Sequence, residues 1–445
     1  MITTEEKIEY LRDYDGRPLR LMEVCGTHTS GIFKCGIRSL LSPKIRLISG
    51  PGCPVCVTPT AYIDKCVEYA LTPGFALVSF GDMLKVPGSR SFSSFLFLAG
   101  HTEKAGVRAA NEDESAPVTP ETIAQETAAP DASASGTITP DIAAKETAAP
   151  ETIAQETVAQ ETVSLERAKG FGARVELVYS PFDVIAMAER EPDTVFVIAA
   201  VGFETTAPAY ALLMDELISR QMTNVMFLTA LKSALPAIEW VCESNYGIDG
   251  FLCPGHVSVI TGSSVYGPLA EKYGKPFVVA GFEGAHLVDA IYELVKLADA
   301  SAGDGLSQGD QETGADGAIP AEHAQPVAGL VVNRYREAVS EEGNIKAREI
   351  TDRYFGRGAA VWRGLGAIAD SGFYLRPLYV EFDAGSRSLT KDASLPEGCR
   401  CADVITGRID PPDCPAFGQS CTPESAHGPC MVSAEGACGI WYANV

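Results

Sequence analysis

The sequence predicts an α/β protein with two doubly wound parallel-sheet domains, a loop-rich C-terminal domain dense in cysteine, and two disordered insertions. Three observations predict it. Short apolar runs alternate with amphipathic segments through most of the chain. Two stretches have the composition of chain that cannot build a core. The 13 cysteines are gathered into clusters instead of being scattered.

The alternation comes first. Arg46–Ser49 and Phe75–Phe80 read as buried strands, and Leu19–Val24 as a further short one. Val175–Tyr179, Val195–Val201, Val225–Thr229, Gly250–Leu252 and Pro276–Ala280 continue the pattern. Helical segments fall between them at Thr60–Tyr69, Pro208–Arg220, Ala234–Ser244 and Ala285–Leu297. Strands alternating with helices imply parallel sheets covered on both faces. Sites in such folds lie beyond the carboxyl ends of the strands. Phe80-Gly81-Asp82, Gly202-Phe203-Glu204 and Gly281-Phe282-Glu283 each follow a strand with a turn glycine and an acid. Both pocket lining and plain turn-and-helix-start chemistry fit those triplets. Val327–Val339 reads as helical, and from Pro396 onward no periodicity remains.

Residues 101–163 carry a near ten-residue repeat of Ala, Thr, Glu and Pro, seen at PETIAQETAA from Pro120 and PETIAQETVAQETV from Pro150. Without aromatics, such a stretch buries too little surface to offset its ordering entropy, so the composition predicts disorder. Ala300–Gln325, rich in Gly, Asp, Ser and Ala, reads the same way. The resulting organisation is α/β domain I over 1–91, an insertion over 92–168, α/β domain II over 169–298, a second insertion over 299–326, and a C-terminal domain over 327–445.

Composition excludes some functions. A formal net charge of −23 lacks the basic footprint of a nucleic-acid binder. No run reaches the roughly 18 apolar residues of a membrane span. The charged start lacks a signal-peptide apolar stretch, so a cytoplasmic protein is expected. An odd number of cysteines in such a chain points to metal or redox work more than to a disulfide framework.

Four motifs carry that chemistry. Glu23-Val24-Cys25-Gly26-Thr27-His28 sets a thiol at a strand exit three residues before a histidine. Nearby backbone N–H groups and His28 would lower the Cys25 pKa, making a nucleophile or soft-metal ligand; a buried structural cysteine is the alternative. Gly52-Cys53-Pro54-Val55-Cys56 is a Cys-x-x-Cys loop between a strand and a helix, suited to a redox pair or a metal-facing loop. Cys253-Pro254-Gly255-His256 marks another strand exit; His256 is the stronger candidate there. Last, Cys399, Cys414, Cys421 and Cys438 form C-x14-C-x6-C-x16-C, with Cys401 and Cys430 interleaved. Four thiolates suit a [4Fe–4S] cluster. Four-cysteine zinc is the rival, although zinc sites favour closely paired cysteines. A segment with so little core pattern needs a metal to fold.

Together and in this order, these motifs resemble the HypD family of hydrogenase maturation factors. The matching runs include Cys25-Gly26-Thr27-His28-Thr29, Gly50-Pro51-Gly52-Cys53-Pro54-Val55-Cys56, Gly202-Phe203-Glu204-Thr205-Thr206, Leu252-Cys253-Pro254-Gly255-His256, Gly428-Pro429-Cys430-Met431-Val432-Ser433 and Glu435-Gly436-Ala437-Cys438. The resemblance covers nearly everything but the two insertions. It implies two α/β domains and a third domain holding a [4Fe–4S] cluster. It also implies a scaffold on which an iron with two cyanides and one carbon monoxide is built, with redox activity but without conventional turnover. Carried onto this sequence, Cys25 becomes the iron ligand, shared with a HypC-type chaperone, and His28 tunes it. Cys53 and Cys56 become the redox pair close to the iron, and His256 remains a separate candidate site residue. Cys399, Cys414, Cys421 and Cys438 become the cluster ligands, with Cys401 and Cys430 as alternates or redox thiols. A HypE-type partner, supplied in turn by a HypF-type protein, donates cyanide, and the hydrogenase large subunit is served indirectly. Ser30 departs from the family's usual histidine or methionine, and Cys35 is additional. A thiol–disulfide or electron-transfer protein, and a zinc-stapled interaction protein, are the rival readings of the motifs.

Overall fold

The computed structural model describes residues 2–89, 162–244, 246–303, 330–389, 395 and 398–445. The repeat over 101–161 and most of the second insertion lie outside the described residues.

The described chain opens with helix α1 (Thr4–Asp13), started by a Thr3–Glu6 capping box that satisfies two free amides reciprocally. Strand β1 (Leu19–Glu23), α2 (Gly26–Lys34), β2 (Ile45–Ser49), α3 (Thr60–Leu71) and β3 (Phe75–Ser79) follow. Next come α4 (Leu165–Lys169), β4 (Val175–Leu177), α5 (Asp183–Arg190), β5 (Val195–Gly202), α6 (Ala207–Ser219), β6 (Val225–Leu231) and α7 (Ala234–Glu243). Then run β7 (Gly250–Pro254), α8 (Gly255–Thr261), α9 (Gly267–Tyr273), β8 (Phe277–Ala280) and α10 (Gly284–Gly303). The end holds β9 (Val331–Asn333), α11 (Ile345–Tyr354), the hairpin β10 (Phe355–Trp362) and β11 (Gly366–Leu375), and short helices α12 (Cys401–Ile405), α13 (Pro429–Val432) and α14 (Ala437–Tyr442).

Two all-parallel sheets result, as the alternation predicts. Sheet A has the order β2-β1-β7-β8-β9 and sheet B the order β4-β3-β5-β6. Strand β5, Val-Phe-Val-Ile-Ala-Ala-Val-Gly, is apolar throughout and nearly all buried, as a strand covered on both faces must be. In α10 the residues Leu287, Ile291, Leu294, Val295 and Ala298 recur at helical spacing and are fully buried against sheet A with Leu21, Leu252 and Val278. Burying each large apolar side chain of this kind stabilises the fold by about 1.5–3 kcal/mol. A second core, around Phe251, Phe277, Ile238 and Val241, fills the other face. Sheet B packs around Phe196, Phe227, Tyr210 and Leu213.

Three sequence expectations change. The sheets do not follow the boundaries 1–91 and 169–298. β1 and β2 pair with β7 to β9, while β3 joins β4 to β6, so the chain crosses between sheets after β2 and again after β6. Adjacent strands in sequence need not share a sheet when a helix as long as α3 carries the chain away. The first insertion ends earlier than 168, because Leu165 and Ala168 of α4 are fully buried. The described part of Val327–Val339 holds strand β9, not a helix. A short apolar run does not distinguish the two states by periodicity, and here pairing with β8 decides.

Candidate functional site

Sheet A reverses its winding between β1 and β7. From β1 the chain steps outward to β2, then later adds β7 on the opposite flank of β1. Such a reversal opens a crevice at the carboxyl ends of the two strands. Cys25 lies two residues beyond the end of β1, and His256 two residues beyond the end of β7.

Cys25 caps the start of α2 with an extended backbone (φ −156°, ψ 123°). Its thiol faces the amides of His28 and Thr27, which favour the thiolate. Burial outweighs them, and the Glu435 carboxylate adds to it, so the pKa is pushed up to about 11. The lowered pKa expected from the sequence is therefore corrected. Desolvation of a thiolate inside the protein exceeds what two amides return. Gly52 of the neighbouring loop lies directly on this residue, since a Cβ there would stand 2.3 Å from the Cys25 backbone nitrogen.

His28 is fully buried, and its Nε2 donates to the Ala280 carbonyl at 3.2 Å, at the exit of β8. Its Nδ1 is buried without a hydrogen-bond partner. Burial first, and then the nearby His256, lower its pKa to about 4, so the ring is neutral at neutral pH. Both imidazoles pack on one phenyl ring. Phe282 lies 4.9 Å from His28 and stacks on the exposed His256 at 3.9 Å between centroids.

The Cys-x-x-Cys loop lies where the chain leaves sheet A for sheet B. Cys53 and Cys56 form a disulfide with Cα atoms 5.3 Å apart, and the Cys56 amide donates to Cys53 Sγ at 3.2 Å. Cys53 Sγ also lies 3.3 Å from Ser433 Oγ, and Thr27 Oγ1 donates to Glu435 Oε1 at 2.9 Å. The C-terminal segment thus closes over both the Cys25 turn and the disulfide. Between them is a small pocket walled by Cys53, Cys56, Ser49, Thr29, Glu435 and Cys430.

A second small pocket is lined by all six C-terminal cysteines: Cys399, Cys401, Cys414, Cys421, Cys430 and Cys438. Cys414, Cys421 and Cys438 pack with Ala416, Phe417 and Met431. Cys399 and Cys401 both flank Gly428, where a Cβ would stand 2.9 Å from Cys399 Sγ and 3.9 Å from Cys401 Sγ. Cys430 is nearly fully buried and borders both cavities. Among the described residues, no three His, Cys, Asp or Glu side chains have the geometry for a metal ion. Zinc needs its four ligands converging on one point. The six thiols around this pocket are the side chains available to hold an iron–sulfur group, whose irons take sulfur ligands from several sides.

Two of the remaining candidates have structural roles. Cys253 is fully buried in β7, and burial raises its pKa well above the ordinary value. Glu204 accepts from Ser233 Oγ at 2.5 Å and from the Ala234 amide at 3.0 Å, so it caps α7 at the second sheet crossing. Sequence reasoning did not single out Phe282, Ser433 or Glu435 as site residues, although each sits inside a motif noted there.

Fold and site together define a class: a cysteine-dense α/β protein that brings a buried thiol, a Cys-x-x-Cys disulfide and a thiol-lined cavity into one neighbourhood. The HypD family model, described as the hydrogenase formation hypA family, matches residues 2–115, 153–313 and 318–445, and the chain belongs to that family. It is 32% identical to the hydrogenase maturation factor HypD of Escherichia coli (strain K12), over 98% of this chain and 92% of that protein. It is 34% identical to HypD of Azotobacter vinelandii over 96% and 89% of the two chains. Against a putative hydrogenase expression/formation protein of Methanocaldococcus jannaschii the figures are 31%, 95% and 91%. No helix among the described residues is long and apolar enough to cross a membrane.

Proposed function

We propose that this chain is the scaffold on which an iron carrying two cyanides and one carbon monoxide is assembled for [NiFe] hydrogenases. The observation that carries the reading is the adjacency of three sulfur sites. Cys25, the Cys53–Cys56 disulfide and the six-thiol cavity adjoin through Gly52, Glu435 and Cys430.

The iron is cargo. Cys25 binds it together with a cysteine of a HypC-type chaperone, since low-valent iron takes soft ligands. Protonated when free, Cys25 loses its proton on binding. His28, neutral and held by Ala280, shapes the crevice with Phe282 and His256.

Cyanide arrives as a protein thiocyanate on a HypE-type partner, itself loaded by a HypF-type protein. A thiocyanate accepts two electrons, giving a thiolate and cyanide. Reduced Cys53 and Cys56 supply both electrons and return to the disulfide. To reset it, the Cys430 thiolate attacks that disulfide, and Cys401 then displaces the mixed disulfide. Cys53 and Cys56 end as thiols, and Cys401 and Cys430 end as the disulfide. Cys399, Cys414, Cys421 and Cys438 would hold a [4Fe–4S] cluster, which when bound supplies single electrons. This assignment leaves Cys401 and Cys430 as the thiol pair, supported by their shared place in the second pocket and by the position of Cys430 at both. The finished iron passes onward to a hydrogenase large subunit.

The test is Cys25→Ala, isolated with the small chaperone. The cyanide and carbon monoxide infrared bands should vanish; bands at the wild-type level contradict the role of Cys25. The rival reading, a thiol–disulfide electron-transfer protein, draws on the Cys53–Cys56 disulfide alone. It predicts redox activity with no such bands in the wild type.

A further inference from the structure

Ser433 stands just beyond α13, with its side chain buried. Its amide donates to the Pro429 carbonyl at 3.0 Å, and the Gly436 amide donates back to the Ser433 carbonyl at 2.9 Å. Gly436 packs so closely that a Cβ there would stand 2.2 Å from the Cys430 carbonyl oxygen. Backbone contacts on both sides thus fix the turn and the serine it carries.

The hydroxyl faces the redox loop. Its oxygen accepts from the Glu435 amide at 3.3 Å and lies 3.3 Å from Cys53 Sγ. In the disulfide Cys53 carries no hydrogen, so the serine is the donor of that contact. The Cys56 amide donates to the same sulfur at 3.2 Å. Two donors therefore converge on Cys53 Sγ. Glu435 and Cys430 line the pocket beside it and are the other groups there that can carry negative charge. Their presence makes donors at Cys53 more necessary if that sulfur is to become an anion. Hydrogen bonds to an anion are about twice as strong as those between neutral groups, so both donors gain strength when the pair is reduced.

We propose that Ser433 is a positioning residue whose hydroxyl makes Cys53, and not Cys56, the attacking sulfur of the reduced pair. The proposal rests on the redox-pair reading given above. The Cys53 thiolate attacks the thiocyanate sulfur. An S–S bond forms, the S–C bond breaks, and its electron pair leaves with cyanide. The Cys56 thiolate then attacks Cys53 Sγ. The Cys53–Cys56 disulfide closes, and the electron pair of the broken bond goes to the partner's thiolate. The two protons of the reduced pair pass to solvent.

The test uses the full chain, handled anaerobically, as wild type, Ser433→Ala and Ser433→Thr. Each is reduced with dithiothreitol and freed of it, and one portion is reoxidised with diamide. A wild-type pair that does not close again overturns the redox-pair reading, and the proposal with it. The reduced portion is treated with limiting iodoacetamide near neutral pH, and the rates at Cys53 and Cys56 are read by peptide mass spectrometry. In the wild type Cys53 should react faster than Cys56 by on the order of fivefold. A wild type in which Cys53 is no faster overturns the proposal without any variant, which covers the case that Ser433→Ala does not accumulate. In Ser433→Ala the Cys53 rate should fall by about fivefold while that of Cys56 does not fall. Ser433→Thr keeps the hydroxyl, so its Cys53 rate should stay within about twofold of the wild type. A purely structural role would loosen the turn and raise both rates in Ser433→Ala. That result, an unchanged Cys53 rate there, or a threonine variant that falls as far as the alanine one, overturns the proposal and leaves the redox pair standing.

Discussion

His28 is buried neutral, and that state has a thermodynamic consequence. Its folded pKa of about 4 lies below the ordinary histidine value, so the unfolded chain takes up a proton that the folded chain refuses. Stability attached to this residue is present above about pH 6.5 and is lost as pH falls toward 4. Urea unfolding should show about 2 kcal/mol lost between pH 7 and pH 5, and His28→Gln should remove that part of the slope. An unchanged slope in the variant would refute the buried neutral ring. Gly52 makes a second prediction at this scale. In Gly52→Ala the new Cβ meets the Cys25 backbone, which should cost about 1–3 kcal/mol and disturb the thiol's approach. The check is denaturant unfolding together with the alkylation rate of Cys25. The cysteines themselves were legible in the sequence, because spacing and neighbouring residues are local. The direction of the Cys25 pKa was not, because Glu435 and the surrounding burial come from distant parts of the chain.

At the scale of elements, α2 is locked to the C-terminal helix. Arg38 pairs with the buried Glu23 at 2.5 Å, and its guanidinium lies 5.0 Å from both the Phe33 and Trp441 rings. Glu23 ends β1 just before Cys25, so this contact braces the crevice from beneath. Arg38→Ala leaves a buried carboxylate without its partner and should cost about 3–5 kcal/mol in denaturant unfolding. Glu23→Gln in that background should recover part of it; no recovery would contradict the pairing. Individual strands such as β5 and β6 could be read from their apolar runs. Sheet membership could not, because nothing local in Phe75–Ser79 tells it to pair with Val195–Gly202 and not with Ile45–Ser49. The same holds for Arg38, whose partners Glu23 and Trp441 are separated by most of the chain.

For the molecule as a whole, the first insertion leaves and re-enters at one point. The Gly88 amide donates to the Val163 carbonyl at 2.8 Å, so the two ends are already held together. Replacing residues 91–160 with a short Gly/Ser linker should leave the melting temperature and the iron and sulfide content unchanged, since closing a shorter loop costs little. Loss of folded protein would contradict that. The disulfide, the Cys25 crevice and the six-thiol pocket meet only in the folded whole, and their meeting supports the proposed scaffold over a simple thiol oxidoreductase. The most direct measurement is an infrared spectrum of the wild-type chain isolated anaerobically with the proposed HypC-type chaperone. Bands from two cyanides and one carbon monoxide on iron, with sulfide from the C-terminal centre, are the predicted result. Redox-active thiols and sulfide without those bands would contradict the account.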